Sequence, residues 1–163
     1  MPLHINSVFL SLDGEVNTFH QGCITTFIRL AGCNLTQYGG CTWCDSKQAQ
    51  KESDTDKILT TPKQIKRFYT RLIKPIGAPK ITITGGEPFM QEEGLSALLD
   101  VILNDKMKVT VETNGSIKPQ IHHFNPYIGY IVDYKLPSSK MEKHMNFRLL
   151  RERKKKKPLI FAA

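Results

Sequence analysis

Cys33, Cys41 and Cys44 share one short stretch, Cys33-Asn-Leu-Thr-Gln-Tyr-Gly-Gly-Cys41-Thr-Trp-Cys44-Asp45. Three thiolates delivered by one loop can hold three irons of a 4Fe–4S cluster, for which cysteine thiolate is the usual protein ligand. With three protein ligands the fourth iron stays open to a small molecule, and an electron carrier becomes a reaction centre. The spacing also suits structural zinc, which prefers four closed ligands, and Cys23 or His20 lies near enough in sequence to complete such a site. Spacing alone leaves both metals open.

The elements that must position this loop are short β-branched runs alternating with helix-like stretches. Phe27-Ile-Arg-Leu-Ala-Gly32 runs into the cysteines, Lys80-Ile-Thr-Ile-Thr84 ends at Gly85-Gly86, and Lys108-Val-Thr-Val-Glu112 leads into Thr113-Asn114-Gly115. A fourth run, Ile128 to Asp133, lies within 127–135. Helical patterns fall at about 61–74 and 91–104, the second with Leu95, Leu98, Leu99 and Ile102 at helical spacing, a stripe expected to pack in the core. Repeated βα units of this kind build a parallel sheet or a partial barrel and carry their chemistry at the C-terminal strand ends. The cysteine loop, Gly85-Gly86-Glu87-Pro88 and Glu112-Thr113-Asn114-Gly115 all sit there. Taken singly, such glycines most often only make turns. Asp133 and Lys135 alternate by two and are expected to face one side.

At 163 residues the chain has room for one domain with a sizeable core. It contains no apolar run of the roughly 18 residues that a membrane span needs, and its first residues lack the layout of a signal peptide. The cytoplasm is the expected compartment, where clustered cysteines serve metals or catalysis before disulfides. The formal charge is +8, but Arg151 to Lys157 carries a net +5, which leaves +3 for the rest. A basic run reads as a solvated segment that binds polyanions without specificity, so no specific nucleic acid is expected.

Several segments together resemble the radical S-adenosylmethionine superfamily and, within it, the 7-carboxy-7-deazaguanine synthase family of the queuosine pathway. They are Ser11-Leu-Asp-Gly-Glu15, Phe27 through Leu35, Trp43-Cys-Asp-Ser46, Thr84-Gly-Gly-Glu-Pro88, Glu112-Thr-Asn-Gly115 and Asp133 through Ser139. The resemblance implies an α/β fold, a partial (βα) barrel, truncated at the C-terminus relative to the family. It divides the chain into a core over 1–150 and a basic divergent tail over 151–163.

The resemblance also implies roles. Cys33, Cys41 and Cys44 would bind a 4Fe–4S cluster, and Ser46 would bind Mg²⁺. Contacts to S-adenosylmethionine would come from Trp43, Cys44, Asp45, Gly86, Glu87, Asn114, Asp133 and Lys135. Leu12, Asp13, Gly14, Arg29 and Thr84 would bind substrate. The implied reaction is cleavage of the sulfonium to a 5′-deoxyadenosyl radical, which takes hydrogen from 6-carboxy-5,6,7,8-tetrahydropterin before ring contraction and loss of ammonia. The implied partners are the pterin, an electron donor such as flavodoxin or ferredoxin, and a second copy in a homodimer.

The loop departs from the family's usual C-x3-C-x2-C, because C-x7-C-x2-C puts four more residues between the first two cysteines. Gly39-Gly40 would let that insert turn tightly. Other readings of the chain are a glycyl-radical activase, a zinc-bound interaction module and an inactive truncated homologue. Cys23 is expected to be a partly buried thiol and His122-His123 a surface pair. Trp43 is expected to shield a cluster or fill core volume. Arg29, a charge inside an apolar strand, needs a partner.

Overall fold

The structure, a computed structural model, describes residues 2–118, 125–146 and the backbone of 160–162. His122-His123 and the basic run 151–157 lie outside the described residues. Seven strands form one sheet: β1 (Leu3–Leu12), β2 (Ile24–Leu30), β3 (Lys57–Leu59), β4 (Lys80–Gly85), β5 (Lys108–Thr113), β6 (Ile128–Asp133) and β7 (Ile160–Ala162). Their order is β3-β1-β2-β4-β5-β6-β7. From β2 to β7 every pairing is parallel, as the βα pattern predicts. One edge of the sheet departs from that pattern. There β1 runs antiparallel to both β2 and β3. β7 falls inside the stretch 151–163 expected to be a divergent tail, and it joins that stretch to the sheet.

The strands bury one face under helices. Helix α1 (Pro62–Phe68) starts with a capping box: Thr61 accepts from the Gln64 N–H, and the Gln64 side chain accepts from the Thr61 N–H at 3.1 Å. The helix expected over 61–74 is interrupted. After Phe68 it widens into a π turn over Tyr69–Ile73 and tightens into a 3-10 turn over Lys74–Ile76, which ends at Gly77 with φ +72°. Pro75 has no N–H to donate back and so cannot continue an α-helix. Helix α2 (Glu92–Asn104) buries Gly94, Leu95, Leu98, Leu99 and Ile102, the stripe seen in the sequence. It shares one continuous core with Ile28 and Leu30 of β2, Ile81 and Ile83 of β4, and Val109 and Val111 of β5.

Side chains alternate across each strand, so the residues between those apolar ones point the other way. Arg29 is paired in register with Thr84, and Ile83 with Val111, which sets Thr84 beside Glu112 on the next strand. Arg29, Thr84 and Glu112 therefore form a row across β2, β4 and β5, on the face opposite the core. Phe9 of β1 and Phe27 of β2 stack at 5.0 Å on that same face.

Candidate active site

A cavity of about 620 Å³ opens over this polar face, within the size range of small-molecule sites. All three clustered cysteines line it. The backbone explains how an insert of this length still turns. Gly32 N–H bonds the Ala49 carbonyl at 2.8 Å and Cys33 N–H the Gln50 carbonyl at 2.9 Å, closing both ends of the loop on each other. Asn34–Tyr38 then makes a 3-10 turn whose Leu35 is buried. Gly39 and Gly40 follow with φ of +96° and +73°, and Gly40 N–H returns to the Leu35 carbonyl at 3.0 Å. Left-handed backbone of this kind favours glycine, so the two glycines absorb the reversal as expected. Thr42 N–H reaches the Ser139 carbonyl at 3.2 Å and fixes the far side of the loop.

Cys33, Cys41 and Cys44 are half-buried free thiols. Burial pushes the Cys33 and Cys41 thiols up, and for Cys33 the Glu87 carboxylate adds to the effect. Among the described residues no three His, Cys, Asp or Glu converge on one point as a single-ion site requires. Cysteine thiolate is the donor type that iron–sulfur clusters take, and three cysteines line this cavity. Cys23 is also half-buried, as expected, but does not line the cavity.

Most of the residues expected to act with these cysteines reach the same cavity. Gly14, Arg29, Thr84, Gly86 and Asn114 line it, with Trp43, Asp45 and Ser46 on the cysteine side and Asp133 and Lys135 on the β6 side. Lys135 Nζ pairs with Asp133, so the two do face one side as their spacing predicts. Burial pulls the Lys135 ammonium down, but Asp133 and the nearby thiols outweigh it and hold the group above its ordinary value. Asn114 Nδ2 lies 3.8 Å from Cys33 Sγ and donates to Asn34 Oδ1 at 3.2 Å. Trp43 is 65% exposed at the rim, which corrects the expectation that it fills core volume and leaves its ring free to cover the opening.

Two of the expected residues are not brought to the wall. Leu12 is 65% exposed at the tip of β1, where the β1–β2 hairpin projects past the sheet. Glu87 is fully buried and its carboxylate is committed internally. It accepts from Phe89 N–H at 3.1 Å, Thr113 Oγ1 at 2.8 Å and Asn114 N–H at 2.8 Å. Burial pushes its pKa up to about 7 against these donors, and its visible function is to clamp the β4 end to the β5 end. Asp13 lies at the wall, but its side chain is fully buried and ion-paired with Lys80, which also donates to Asn17 Oδ1 at 3.0 Å. Asp13 Oδ1 accepts from Glu15 N–H at 3.2 Å, so this buried pair holds Gly14 and Glu15 at the cavity rim.

Arg29 finds the partners its position demands. Its Nη1 donates to Ser46 Oγ, which in turn donates to Asp45 Oδ1 at 2.9 Å, and the guanidinium lies 5.4 Å over the Phe9 ring. Arg29 Nε is buried with no hydrogen-bond partner. The residue as a whole lines the cavity, where its guanidinium is a planar set of donors. Glu112 was missed among the expected site residues, although it stands at the end of a quoted motif. Its signal was strand parity: it shares the even-numbered face with Thr110, one face away from Val109 and Val111.

Burial is the main force pushing the Glu112 carboxyl up to about 7. Asp13 and Glu15 add to it, while the Thr84 hydrogen bond and Arg29 oppose it. Between the unfolded value near 4.5 and the folded value near 7, the native state binds the extra proton, so stability falls as pH rises through that window. Glu112→Gln is expected to remove this loss and to be more stable than the parent at pH 8 by up to about 3 kcal/mol, with little difference at pH 4. Urea denaturation at the two pH values measures it; an equal effect at both would remove the titration from the explanation.

Comparison with known proteins agrees with this geometry. A sequence profile described as Radical SAM superfamily matches residues 27–132. A 7-carboxy-7-deazaguanine synthase of Clostridium acetobutylicum is 38% identical over 150 residues, covering 89% of this chain and 62% of that protein. Another of the same description, from Chlorobaculum tepidum, is 32% identical over 143 residues, covering 88% of this chain and 57% of that protein. The chain thus spans less than two thirds of the length of either relative. The crystal structure of QueE from Escherichia coli superposes with a TM-score of 0.65 at 22% identity, over 99% of this chain and 83% of the other, a likeness of fold. Among the described residues no helix is long and apolar enough to cross a membrane.

Proposed function

From the premise that this chain belongs to the radical S-adenosylmethionine superfamily, we propose that it acts on a carboxylated tetrahydropterin and yields 7-carboxy-7-deazaguanine with loss of ammonia. Two kinds of support meet here: the description carried by the relatives, and one observation in the site. The row Arg29, Thr84 and Glu112 faces the same cavity as the three cysteines. One wall therefore offers soft thiolates, and the floor beside it offers a cation and a protonatable acid.

The cysteines would hold a 4Fe–4S cluster, with the amine and carboxylate of S-adenosylmethionine at its open iron. When bound, the pair supplies a 5′-deoxyadenosyl radical by one-electron cleavage of a carbon–sulfur bond. The remaining work belongs to side chains. Gly86 lines the cavity, and its missing Cβ leaves room for the Gly32 and Ala49 carbonyls that seat the cysteine loop. Asn114, Asp133 and Lys135 supply polar contacts on the cofactor side. Ser46 Oγ, next to the Asp45 carboxylate, offers the hard oxygen that Mg²⁺ prefers. Arg29 engages the substrate carboxylate with both arms of its guanidinium. Glu112, protonated up to about pH 7, can both donate to and accept from a nitrogen-rich ring edge. Leu12 would act from the hairpin tip and Glu87 through the clamp it provides rather than by contact.

Arg29→Lys keeps the charge and loses the fork. A charge-assisted pair of about 1.5–3 kcal/mol predicts a rise in KM for the carboxylated substrate on the order of 10–100-fold, with iron content unchanged. The experiment that tests the reading supplies the anaerobically reconstituted chain with S-adenosylmethionine, reductant and 6-carboxy-5,6,7,8-tetrahydropterin. Release of 7-carboxy-7-deazaguanine supports the reading. 5′-Deoxyadenosine without that product, together with a glycyl radical on a partner protein, would replace it with the activase reading.

A further inference from the structure

Lys80 opens β4 on the face that also carries Thr82 and Thr84, and it is fully buried. Lysine is almost never buried to this extent unless it is paired. Its Nζ pairs with Asp13, whose Oδ2 also accepts from Thr82 Oγ1 at 3.3 Å, and donates to Asn17 Oδ1 at 3.0 Å. Both acceptors belong to the loop over 13–23 that joins β1 to β2.

That loop crosses the starts of three strands. Lys80 holds it on β4. On β5, Lys108 Nζ lies 5.8 Å over the Phe19 ring. On β6, Thr18 and Phe19 pack so closely that a Cβ at Gly129 would come within 2.6 Å of Thr18 Oγ1. Within the loop, Asn17 Oδ1 accepts from Phe19 N–H at 2.8 Å, and its Nδ2 donates to the Glu15 carbonyl at 2.8 Å. Asp13 Oδ1 holds the Glu15 N–H. The two partners of Lys80 thus grip the same residue from both sides. Gly14 and Glu15 line the cavity, whereas Lys80 and Asn17 do not.

A buried ion pair adds little stability over apolar residues of similar volume, and its best-attested use is to fix a register. We propose that Lys80 is a positioning residue for the substrate: through Asp13 and Asn17 it holds the Gly14–Glu15 wall where the substrate ring binds, without touching the ring itself. The inference rests on the pterin reading above. It also gives Asp13 a different part from the contact its motif implied, since its carboxylate is turned from the cavity into the anchor. When the anchor is weakened, a smaller fraction of molecules carries the wall in its binding-competent place, and apparent substrate affinity falls by that fraction.

The test uses the reconstituted full chain and three variants. Lys80→Met removes the anchor and leaves Asp13 buried without its partner. Asn17→Ala removes one charge-assisted bond from the loop and leaves the Lys80–Asp13 pair intact, so it decides the matter if Lys80→Met does not fold. Tyr69→Phe, the control, loses the hydrogen bond to Asp105 Oδ2 on the helical side of the sheet. Hydrogen exchange followed by mass spectrometry is expected to run about tenfold faster over 13–23 in Asn17→Ala, and at the parent rate over α2. KM for 6-carboxy-5,6,7,8-tetrahydropterin should rise about tenfold in that variant, with kcat and iron content at parent values. Lys80→Met, where it folds, should show the larger change in both. The control should match the parent in loop exchange and in KM. Parent-like exchange over 13–23 in Asn17→Ala, faster exchange with an unchanged KM, or an equal rise of KM in the control would each overturn the positioning role. A parent chain that cleaves S-adenosylmethionine but leaves the pterin unconverted would instead sink the functional reading beneath it.

Discussion

Gly86→Ala is expected to cost the chain about 3–5 kcal/mol, a large part of the stability of a domain this size. A methyl group there would overlap the carbonyl group of Gly32 and come within 2.7 Å of the Ala49 carbonyl oxygen. These are backbone atoms held by bonds that define the site. Gly86 N–H reaches Leu30 O at 3.0 Å, Glu87 N–H reaches Gly32 O at 2.8 Å, and Gly32 N–H reaches Ala49 O at 2.8 Å. No side chain can swing aside to make room. Because the same contacts seat Cys33, iron binding should fall along with stability. Urea denaturation measures the first, and a shift below about 1 kcal/mol would show that the β2 and β4 ends are not packed as described.

The second large effect concerns the thiols. Replacing Cys33, Cys41 or Cys44 singly with alanine is expected to lower reductive cleavage of S-adenosylmethionine by on the order of 10²-fold or more, since even outer-shell changes at metal sites cost 10–100-fold. Cys23→Ala supplies the contrast. Cys23 precedes β2 outside the cavity wall; its carbonyl accepts from Asp13 N–H at 2.9 Å and its N–H donates to the His20 carbonyl at 3.4 Å. Iron content and cleavage should be unchanged in that variant. Four equal losses would point to a closed four-ligand site and return the zinc reading.

The parallel part of the fold was legible because its strands are β-branched runs that end in glycine or polar motifs, and α2 was legible from one clean stripe. The antiparallel edge was not. β1 has buried Leu3 and Ile5 at its start but exposed Leu10 and Leu12 at its end, so neither alternation nor a continuous apolar run marks it. The break after Phe68 followed from Pro75 and Gly77 acting on a helix whose periodicity alone looked continuous.

In the site, type and spacing located the cysteines and the Asp133–Lys135 pair. They did not distinguish residues that face a ligand from those that brace the ones that do. Glu87 turned inward because Thr113 Oγ1 and two backbone N–H groups solvate its carboxylate. Glu112 turned toward the cavity because Val111 faces the core. Gly85 reads as a turn in sequence, but its Cβ would overlap the Leu30 backbone, so close approach of two strands selects glycine there.

The central claim is that three thiols leave one metal corner for a ligand. Its most direct measurement is to load the chain anaerobically with iron and sulfide, reduce it, add S-adenosylmethionine and quantify iron and nucleoside products. The expected result is a brown protein with about four irons per chain, giving 5′-deoxyadenosine and methionine in equal amounts. A colourless protein that retains one zinc through Cys33, Cys41 and Cys44 and leaves the sulfonium intact would contradict it.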